Sequence, residues 1–542
     1  MKILPRFPWT VPPPGPHLVV LGAIYLILGL LGRDPWKADD VTHFGIAYGM
    51  LEGRGWLVPG LAGEPLPDTP PLYYWIAAGF ARLAGGLLPL HDAARLAALL
   101  FGAMFLAGIA ATASRLYGER ERGAAILISV GCVGLVLPLH DTQPAIALLA
   151  AIAWTAYAFQ LMPQRPAAGG AIAGLAIGLG FLATGWVPVF ILAALALAMP
   201  AAPAWRTAKS LSGIAIALGL AALITGGWLA VLAQAQPQAF AATGAAAFGD
   251  MELDASMLRR TGRYLGMLPW FAWPAVPLLF WALWMERRKL HEPGMLLPLA
   301  LFAATLVALV TRSDADSLSA LPLLPPLILL AARGAGNLRR GAANALDWFA
   351  MMSFTFFAGL VWLGWIAMLT GSPERIAKYA ARVEPGFVMH FSPLAFAAGL
   401  ALSLAWLWLI ATAPRSPYRG TLTWGAGMLL LWGLLTTLWL PLIDSSKSYR
   451  MLANSLERAL PAGHGCIAGS GLGEAQRASL HYFAGIETLG PGRPGRDACK
   501  LLLAYSSSGG SPEISPGPEW RKIWEGRRRG DRKERFRLYR RD

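Results

Sequence analysis

Residues 93–115 of the chain read AARLAALLFGAMFLAGIAATASR. A helix needs about 20 predominantly apolar residues to cross the hydrocarbon core of a bilayer, and this run is long enough. Similar runs recur along the 542 residues, of which 56% are hydrophobic and 14% are charged, with a mean hydropathy of +0.49. Soluble domains carry about 25% charged residues. The composition therefore excludes an ordinary soluble enzyme, a disordered chain and a coiled coil, and predicts a polytopic membrane protein.

The apolar runs predict about thirteen membrane helices, because a backbone in lipid must satisfy its polar groups within its own segment. They are expected near residues 17–33, 93–115, 123–138, 142–161, 168–183, 186–200, 208–234, 266–285, 294–311, 317–332, 346–370, 392–413 and 420–442. The stretch 168–200 reads either as two short spans broken at Gly185 or as one long tilted helix. The first run lacks a small-residue cleavage site after it, so we expect it to remain as the first helix.

Lys and Arg residues concentrate in alternate short loops, which is typical of loops on the cytoplasmic side. These loops are Arg115–Arg122, Arg206–Lys209, Glu286–Glu292, Arg333–Arg340 and Arg415–Arg419. The alternation predicts a multi-pass protein of the bacterial inner membrane with a cytoplasmic N-terminus. It leaves four segments outside: the first outer loop at about 34–92, Gln236–Arg263, Gly371–His390 and the tail after Leu442. Much of the net charge of +15 therefore reflects topology.

The tail, residues 443–542, is predicted to form a small periplasmic α/β domain, and residues 1–442 to form the transmembrane domain. Its strand-like and helical runs are Gly465–Ala468, Glu474–Phe483, Cys499–Tyr505 and Arg535–Tyr539, with a loop at Ser506–Pro518. Cys466 and Cys499 each begin a predicted strand, and an oxidising compartment allows a disulfide between them. Cys132, within a span, is expected to be inert packing.

The basic end of the tail, Arg521–Asp542, has two interpretations. It is typical of a last strand with a solvated basic face, and it would also suit anionic lipid headgroups or an acidic acceptor. Nucleic acid is not an expected partner for a domain outside the cell membrane.

Acidic residues stand at the membrane surface in the first outer loop. Asp39-Asp40 follows the first helix, Gly53-Arg54-Gly55-Trp56 leads to Pro59, and Asp68-Thr69-Pro70-Pro71-Leu72-Tyr73-Tyr74-Trp75 comes later. Ionisable groups at that depth are costly and tend to be functional. The alternative is that Asp39 or Asp40 caps a surface helix over residues 41–52.

These motifs resemble the lipid-linked-sugar glycosyltransferases with the GT-C membrane fold, above all the branch of protein O-mannosyltransferases and lipid A aminoarabinose transferases. Further similarities are His140-Asp141-Thr142-Gln143-Pro144, the Pro-Trp segment in Tyr264–Trp273 and the helix start at Leu321–Leu327. The resemblance implies a GT-C type polytopic α-helical protein with a small C-terminal α/β domain. It also implies an inverting transfer of a hexosyl or pentosyl group from polyprenyl phosphate to a lipid A, polysaccharide or protein acceptor at the periplasmic face.

The resemblance assigns roles by motif position. Asp39 corresponds to the general base, which would remove a proton from the attacking acceptor hydroxyl. Asp40 would support Asp39 or contact the sugar, and Asp68 and Asp141 match the family's other acidic positions. Tyr73 and Tyr74 would stack on sugar or line a lipid groove, or else belong to an interfacial aromatic belt.

Three positions depart from the family's pattern, because lysines common in the family are replaced. They read Thr69, Thr184-Gly185 and Asp316-Ser317-Leu318-Ser319 in this chain. Either other outer arginines hold the donor phosphate, or the chain is a divergent member with a changed donor or no activity. The candidate arginines are Arg259, Arg260, Arg263 and Arg312.

Two histidines are weaker candidates. His43 lies one helical turn after Asp39 and could bind a metal ion or contact the sugar. His140, next to Asp141, could form a zinc or manganese site with Asp39 and Asp68; otherwise both histidines are ordinary polar residues. A transporter or flippase would need charged or broken helices near mid-membrane, and these spans are almost free of charge. A catalytically degenerate scaffold that displays the tail is the other alternative, because the family's lysines are missing.

Overall fold

The computed structural model describes residues 15–249, 256–312, 316–507, 516–531 and 533–541. The helices are α1 (Gly15–Ile27), α2 (Asp39–Leu51), α3 (Leu72–Ala84), α4 (Leu90–Tyr117), α5 (Glu119–Gly131), α6 (Ala145–Leu161), α7 (Pro166–Thr184), α8 (Val187–Ala198), α9 (Ala208–Ala235), α10 (Pro237–Phe248), α11 (Ser256–Phe271), α12 (Ala275–Met285), α13 (Pro293–Val310), α14 (Leu324–Ala335), α15 (Arg340–Thr370), α16 (Glu374–Val383), α17 (Pro393–Thr412), α18 (Arg419–Leu438), α19 (Leu440–Lys447), α20 (Arg450–Ala459) and α21 (Glu474–Ala484). The strands are β1 (Gly60–Leu61), β2 (Glu64–Pro65), β3 (Ile467–Ser470), β4 (Thr488–Leu489), β5 (Leu501–Ser507), β6 (Trp520–Gly526) and β7 (Glu534–Arg541).

Within the described residues, seven helices are long and apolar enough to cross a membrane: α4, α7, α9, α13, α15, α17 and α18. The number rises to nine when each of two sharply bent pairs is taken as one span: α5 with Val133–His140, and α11 with α12. Shorter apolar helices occupy the remaining predicted positions: Gly15–Ile27, Ala145–Leu161, Val187–Ala201 and Leu321–Ala335. The predicted class, a polytopic α-helical membrane protein, is confirmed.

The stretch 168–200 forms two helices. The chain breaks at Gly185, whose φ of +81° is a conformation that glycine adopts without the steric penalty of a Cβ. Glycines on α7 allow close packing against α9: a Cβ at Gly170 would lie 2.5 Å from the carbonyl oxygen of Gly213, and one at Gly174 would lie 2.9 Å from that of Ala217. Small residues at this spacing let membrane helices approach closely.

Two short helices of the first outer loop, α2 and α3, flank the small hairpin formed by β1 and β2. Asp39 and Asp40 occupy the first turn of α2, where negative charge is favoured by the helix dipole. The N-cap residue is Ala38, and no side chain caps this end. The alternative prediction, that Asp39 or Asp40 is the N-cap residue, is therefore wrong.

The tail contains a five-stranded sheet in the order β4-β3-β5-β7-β6. Strand β3 pairs in parallel with β4 and β5, whereas β7 pairs antiparallel with β5 and β6. Strands β3, β5 and β7 and helix α21 correspond to the predicted runs, and β4 and β6 are additional. The proposed domain boundary after residue 442 falls inside α19, which with α20 leads from the last membrane helix into the sheet. Part of the predicted loop at Ser506–Pro518 lies outside the described residues.

The tail packs directly on the first outer loop, because α21 lies against α2. A Cβ at Gly45 would stand 2.7 Å from the Cβ of Ala478, so the two helices approach closely at this point. The tail is therefore in position to influence the segment that carries Asp39 and Asp40.

The structure joins Cys466 and Cys499 in a disulfide, and Cys132 is buried as a free thiol. We expect the denatured, unreduced protein to react with iodoacetamide at Cys132 alone, and all three cysteines to react after reduction, as read by peptide mass spectrometry. The Cys132→Ala variant should show no reaction before reduction. Alkylation of Cys466 or Cys499 in the unreduced protein would contradict the disulfide.

Candidate functional site

The carboxylate of Asp40 lies at the centre of a buried ion cluster. It is 1% exposed and accepts hydrogen bonds from Arg95 Nη2 at 2.8 Å and Arg33 Nη1 at 3.1 Å. The backbone amides of Thr142 and Trp36 donate to it at 2.8 and 3.1 Å. A buried charge is tolerated when it is paired and fully hydrogen-bonded in this way. Asp40 therefore does not contact a ligand in this arrangement, and of its two predicted roles the geometry favours support of its neighbour.

The cluster joins the stretch after α1, the start of α2, the start of α4 and the second outer loop. Arg95 Nη1 donates to Asp92 at 2.6 Å and to the carbonyl oxygen of Arg33 at 2.9 Å. Burial by itself would raise the pKa of Asp40, but the positive charges of Arg95 and Arg33 hold that pKa well below its usual range. Asp40 is consequently ionised at any physiological pH.

Asp141 shares a partner with Asp40. Arg33 Nη2 donates to Asp141 at 2.5 Å and to the carbonyl oxygen of His140 at 2.7 Å. Burial and the negative charge of Asp40 raise the pKa of Asp141 to about 6, against the opposing effect of Arg33. The Asp141 side chain is 19% exposed, so this carboxylate reaches the surface of the cluster, whereas that of Asp40 is buried.

Asp39 differs from its neighbour because it is half-buried and lies outside this cluster. In the described part of the chain, no ion pair engages its carboxylate. Burial raises the pKa of Asp39, and the negative charges of Asp316 and Asp40 raise it further. A carboxylate with a raised pKa is a stronger proton acceptor once ionised. Asp39 therefore has the electrostatic properties that a general base requires.

Tyr73 and Tyr74 are buried rather than displayed to an open groove, at 0% and 2% exposure. The Tyr73 hydroxyl accepts from the backbone amide of Gln143 at 2.9 Å, next to the amide that binds Asp40. The Tyr74 hydroxyl lies 2.9 Å from His43 Nδ1, which ties α3 to α2. Burial raises the pKa of Tyr74, and Glu474 and Asp68 raise it further. Asp68 itself is exposed in the turn before α3 and belongs to this outer part of the site.

The three candidate arginines on α11 lie on two faces of the helix. Arg259 and Arg263 are exposed, whereas Arg260 is buried on the same face as Tyr264, one turn away. The Tyr264 hydroxyl donates to Ser319 Oγ at 3.0 Å, and Ser319 in turn bonds to Asp316. Because Asp316 acts electrostatically on Asp39, this contact brings the buried face of α11 toward the acidic end of α2.

The positions of the family's lysines hold no cation here. Thr69 lies in a turn, with its amide bonded to the carbonyl oxygen of Leu66, and Thr184 Oγ1 bonds to Gly180 at 3.0 Å within its own helix. Arg312 lies over the ring of Phe190, with 5.7 Å between the guanidinium carbon and the ring centroid.

His140 and His43 do not form a common metal site. Both ring nitrogens of His140 lie near backbone carbonyl oxygens, those of Val136 and Tyr25, at 2.5 and 2.7 Å. Neither nitrogen is directed toward Asp39 or Asp68, so the geometry does not support the predicted metal. Among the described residues, a cluster of possible ligands occurs instead at Glu52, His481 and Glu487. Arg54 pairs with both of those carboxylates and supplies the positive charge there.

Sequence reasoning missed the other members of this cluster, namely the two arginines that pair with Asp40, Arg33 and Arg95, and the Asp92 that pairs with Arg95. A signal was present, because Arg95 is the one charged residue between positions 93 and 114 of a long apolar span. A charge in that position usually pairs inside the protein. Which residue pairs with Arg95 depends on how the helices pack, and helix packing could not be predicted from the sequence.

We expect Asp40→Asn to lower the free energy of unfolding by about 3–5 kcal/mol, because it leaves Arg33 and Arg95 buried without their shared anion. Denaturant titration in mild detergent measures the change. The exposed Asp68→Asn is the matched control and should stay within about 0.5 kcal/mol of wild type. Since the pKa of Asp40 is lowered by folding, its contribution is complete at neutral pH and lost as the pH falls below the ordinary carboxyl value. Equal stability of Asp40→Asn and wild type at pH 7 would contradict this account.

Relatives of the chain are known by sequence. The sequence model of the family described as dolichyl-phosphate-mannose-protein mannosyltransferase matches residues 68–229, a region that begins after Asp39 and Asp40. An undecaprenyl phosphate-alpha-4-amino-4-deoxy-L-arabinose arabinosyl transferase from Edwardsiella ictaluri is 29% identical over 231 residues, which cover 41% of this chain and 40% of that protein. The aligned part thus spans about two fifths of the length of that relative.

Solved structures extend the likeness to nearly the whole chain. ArnT from Cupriavidus metallidurans superposes with a TM-score of 0.67 in its apo state, at 16% identity. Its undecaprenyl-phosphate-bound structure gives a TM-score of 0.66 at 15% identity. Each match covers 96% of this chain and 97% of the other, so the fold is shared. The chain therefore has the GT-C type fold of ArnT, and parts of its sequence are similar to the dolichyl-phosphate-mannose-protein mannosyltransferase family and to an aminoarabinose transferase.

Proposed function

We propose that the chain is an inverting glycosyltransferase that moves a sugar from a polyprenyl-phosphate donor to a lipid A, polysaccharide or protein acceptor. The observation that carries the proposal is the contrast between two adjacent carboxylates. Asp40 is ion-paired with two buried arginines, whereas Asp39 is half-buried, has a raised pKa and lies at the start of α2. The shared fold with ArnT and the similarity to an undecaprenyl phosphate-dependent arabinosyl transferase support the donor class.

In this mechanism, the Asp39 carboxylate takes the proton of the acceptor hydroxyl as its oxygen bonds to the anomeric carbon of the donor sugar. The bond between that carbon and the phosphate oxygen breaks at the same time, and the polyprenyl phosphate leaves with the electron pair. One displacement on the face opposite the leaving group inverts the anomeric centre. Asp141 and Asp68, at the rim of the site, would bind sugar or acceptor hydroxyls.

The leaving phosphate needs a cation, because negative charge develops on it as the bond breaks. Arg260 fits this role better than Arg259 or Arg263, since it is buried and shares a helix face with Tyr264 near Asp316. A guanidinium binds phosphate through two parallel N–H donors, which a lysine does not offer. An arginine on α11 would thus replace the lysines that the family carries elsewhere.

An apolar cavity supports a lipid-linked donor. It has a volume of about 410 Å³, and its lining includes Leu72, Phe101, Trp154 and Leu179 from four different helices. Phe101 stacks on Tyr73, whose hydroxyl bonds beside the Asp40 cluster. An isoprenoid tail in this cavity would therefore bring its phosphate toward the acidic end of α2. The basic loops favour an inner-membrane protein with a cytoplasmic N-terminus, and with the first outer loop and the tail in the periplasm.

We expect Asp39→Asn to lower the transfer rate by about 10²–10⁴-fold, the usual contribution of a general base, while the protein still folds. Mass spectrometry of lipid A, cell-wall polymers and secreted proteins from cells with and without the gene identifies the acceptor for this assay. Wild-type activity should fall as the pH drops through the raised pKa of Asp39, because the base must be ionised. The fully exposed Asp497→Asn serves as the control. Normal transfer by Asp39→Asn would exclude the mechanism.

The phosphate assignment predicts that Arg260→Gln raises the KM for the donor about 10–100-fold, which corresponds to loss of one charged hydrogen-bonding group. Arg259→Gln and Arg263→Gln remove the same charge from exposed positions of the same helix and should leave the KM near wild type. Titration of membranes with a polyprenyl-phosphate sugar measures all three. If Arg263→Gln weakens donor binding more than Arg260→Gln, the assignment is wrong.

A further inference from the structure

The short segment between α1 and α2 is held by residues of the tail. Arg450 forms an ion pair with Asp34, and Ser448 Oγ donates to the same carboxylate at 2.6 Å. The carboxylate of Asp444 accepts from the backbone amide of Asp34 at 2.9 Å and from Trp36 Nε1 at 2.8 Å. Residues that are about 410 positions apart in the sequence thus fix the approach to α2.

Glu534, on the last strand of the tail, contacts Lys37, which stands two residues before Asp39. It lies on β7, is 1% exposed and forms an ion pair with Lys37. Its carboxylate also accepts from Tyr449 OH at 2.9 Å and from Arg528 Nε at 3.2 Å. The remaining charged side chains of this strand are all arginines. A buried carboxylate is costly unless it is paired and hydrogen-bonded. Because Tyr449 and Arg528 hold Glu534 in place, the Lys37 ammonium pairs with an anion whose position is fixed.

Lys37 stands two residues before Asp39 and one before the N-cap residue Ala38. Asp40, the residue after Asp39, is fixed by Arg33 and Arg95. A helix start that is held both before and after Asp39 has little freedom to rotate about its axis. The direction of the Asp39 carboxylate is therefore set by the membrane domain through Asp40 and by the tail through Lys37.

Other contacts already dock the tail on the first outer loop. Arg477 pairs with Glu64, Arg54 pairs with Glu487 at 2.7 Å, and α21 packs on α2. Loss of the ion pair between Lys37 and Glu534 therefore leaves the tail in place and removes the support of the residue two positions before Asp39.

We propose that Glu534 is a positioning residue that acts through Lys37 to aim the Asp39 carboxylate, so that the tail completes the catalytic site. This inference rests on the proposed function of Asp39. It assigns to the tail a part in the transfer step itself, in addition to any part in binding the acceptor.

The test compares Lys37→Gln, Lys37→Arg, Glu534→Gln and the double variant Lys37→Gln/Glu534→Gln in the full-length protein. Lys37→Gln and Glu534→Gln should each lower kcat about tenfold or more, with the donor KM changed by less than about twofold, because small misplacements of a reacting group affect the chemical step. Lys37→Arg should recover most of the rate. The double variant should be no slower than the slower single variant, because both substitutions break the same contact.

Glu525→Gln is the matched control, since it removes one carboxylate from β6 of the same sheet, where Glu525 pairs with Lys522, Arg535 and Arg537. It should leave kcat unchanged. If Glu534→Gln does not fold, Lys37→Gln carries the test, because the Lys37 side chain is 28% exposed. A wild-type kcat for Lys37→Gln, or rate losses that multiply in the double variant, would overturn the proposal.

Hydrogen exchange gives a second readout that does not depend on activity. The amides of Val41 and Thr42 close the first turn of α2 onto Trp36 and Ala38. Both should exchange faster in Lys37→Gln and Glu534→Gln than in wild type or Glu525→Gln. Unchanged exchange would overturn the positioning role. If the wild-type protein transfers no sugar while exchange responds as expected, the proposed function fails and the contact between Glu534 and α2 stands.

Discussion

The buried carboxylate of Asp40, held between Arg33 and Arg95, is the interaction on which the outer face of the protein depends. Four segments meet at this group: the stretch after α1, the first turn of α2, the start of α4 and the loop at Asp141. Asp40, Arg33 and Arg95 are buried, and each of these charges is tolerated because the others are present. The outer loops are therefore fixed relative to the membrane helices by one set of mutually dependent ion pairs.

This constraint separates two neighbouring residues of the same type. Successive side chains on a helix point about 100° apart, so one aspartate enters the cluster while the next stays at its edge. The pKa of Asp40 is lowered by arginines, and that of Asp39 is raised by burial and by other carboxylates. Carboxylates with opposite shifts commonly divide structural and chemical tasks at an active site. Asp39 and Asp40, although adjacent and of the same type, therefore have different environments and pKa shifts in opposite directions.

Much of the architecture could be predicted from local patterns. The length of the apolar runs predicted the positions of the membrane helices. Strand-like and helical runs in the tail predicted β5, β7 and α21, because each of these signals lies within a single segment. Strand β4 has two residues, which is too short to produce a pattern. The motif residues Asp39 and Asp40 were visible as acids, but their different environments were not. Those environments depend on Arg33 and Arg95, whose partners are set by helix packing.

The candidate metal residues illustrate the same limit. His43 and His140 are near Asp39 and Asp141 in sequence, yet one contacts Tyr74 and the other lies against backbone carbonyls. Tyr73 and Tyr74 are core residues that join α3 to its neighbours, although their pattern also suited a displayed aromatic surface. Sequence proximity indicates which segment carries a residue, and the packing of segments decides what the residue touches.

The ion pair between Lys37 and Glu534 spans 497 residues, and this has a consequence for how the protein is made. At roughly 5–20 residues per second, a ribosome needs about 25–100 s to reach Glu534 after Lys37 has been synthesised. During that interval the membrane helices insert in order, while Lys37 has no Glu534 to pair with. Lys37 therefore has no partner in an incomplete chain, and the contact before α2 can form only after the last strand has been synthesised.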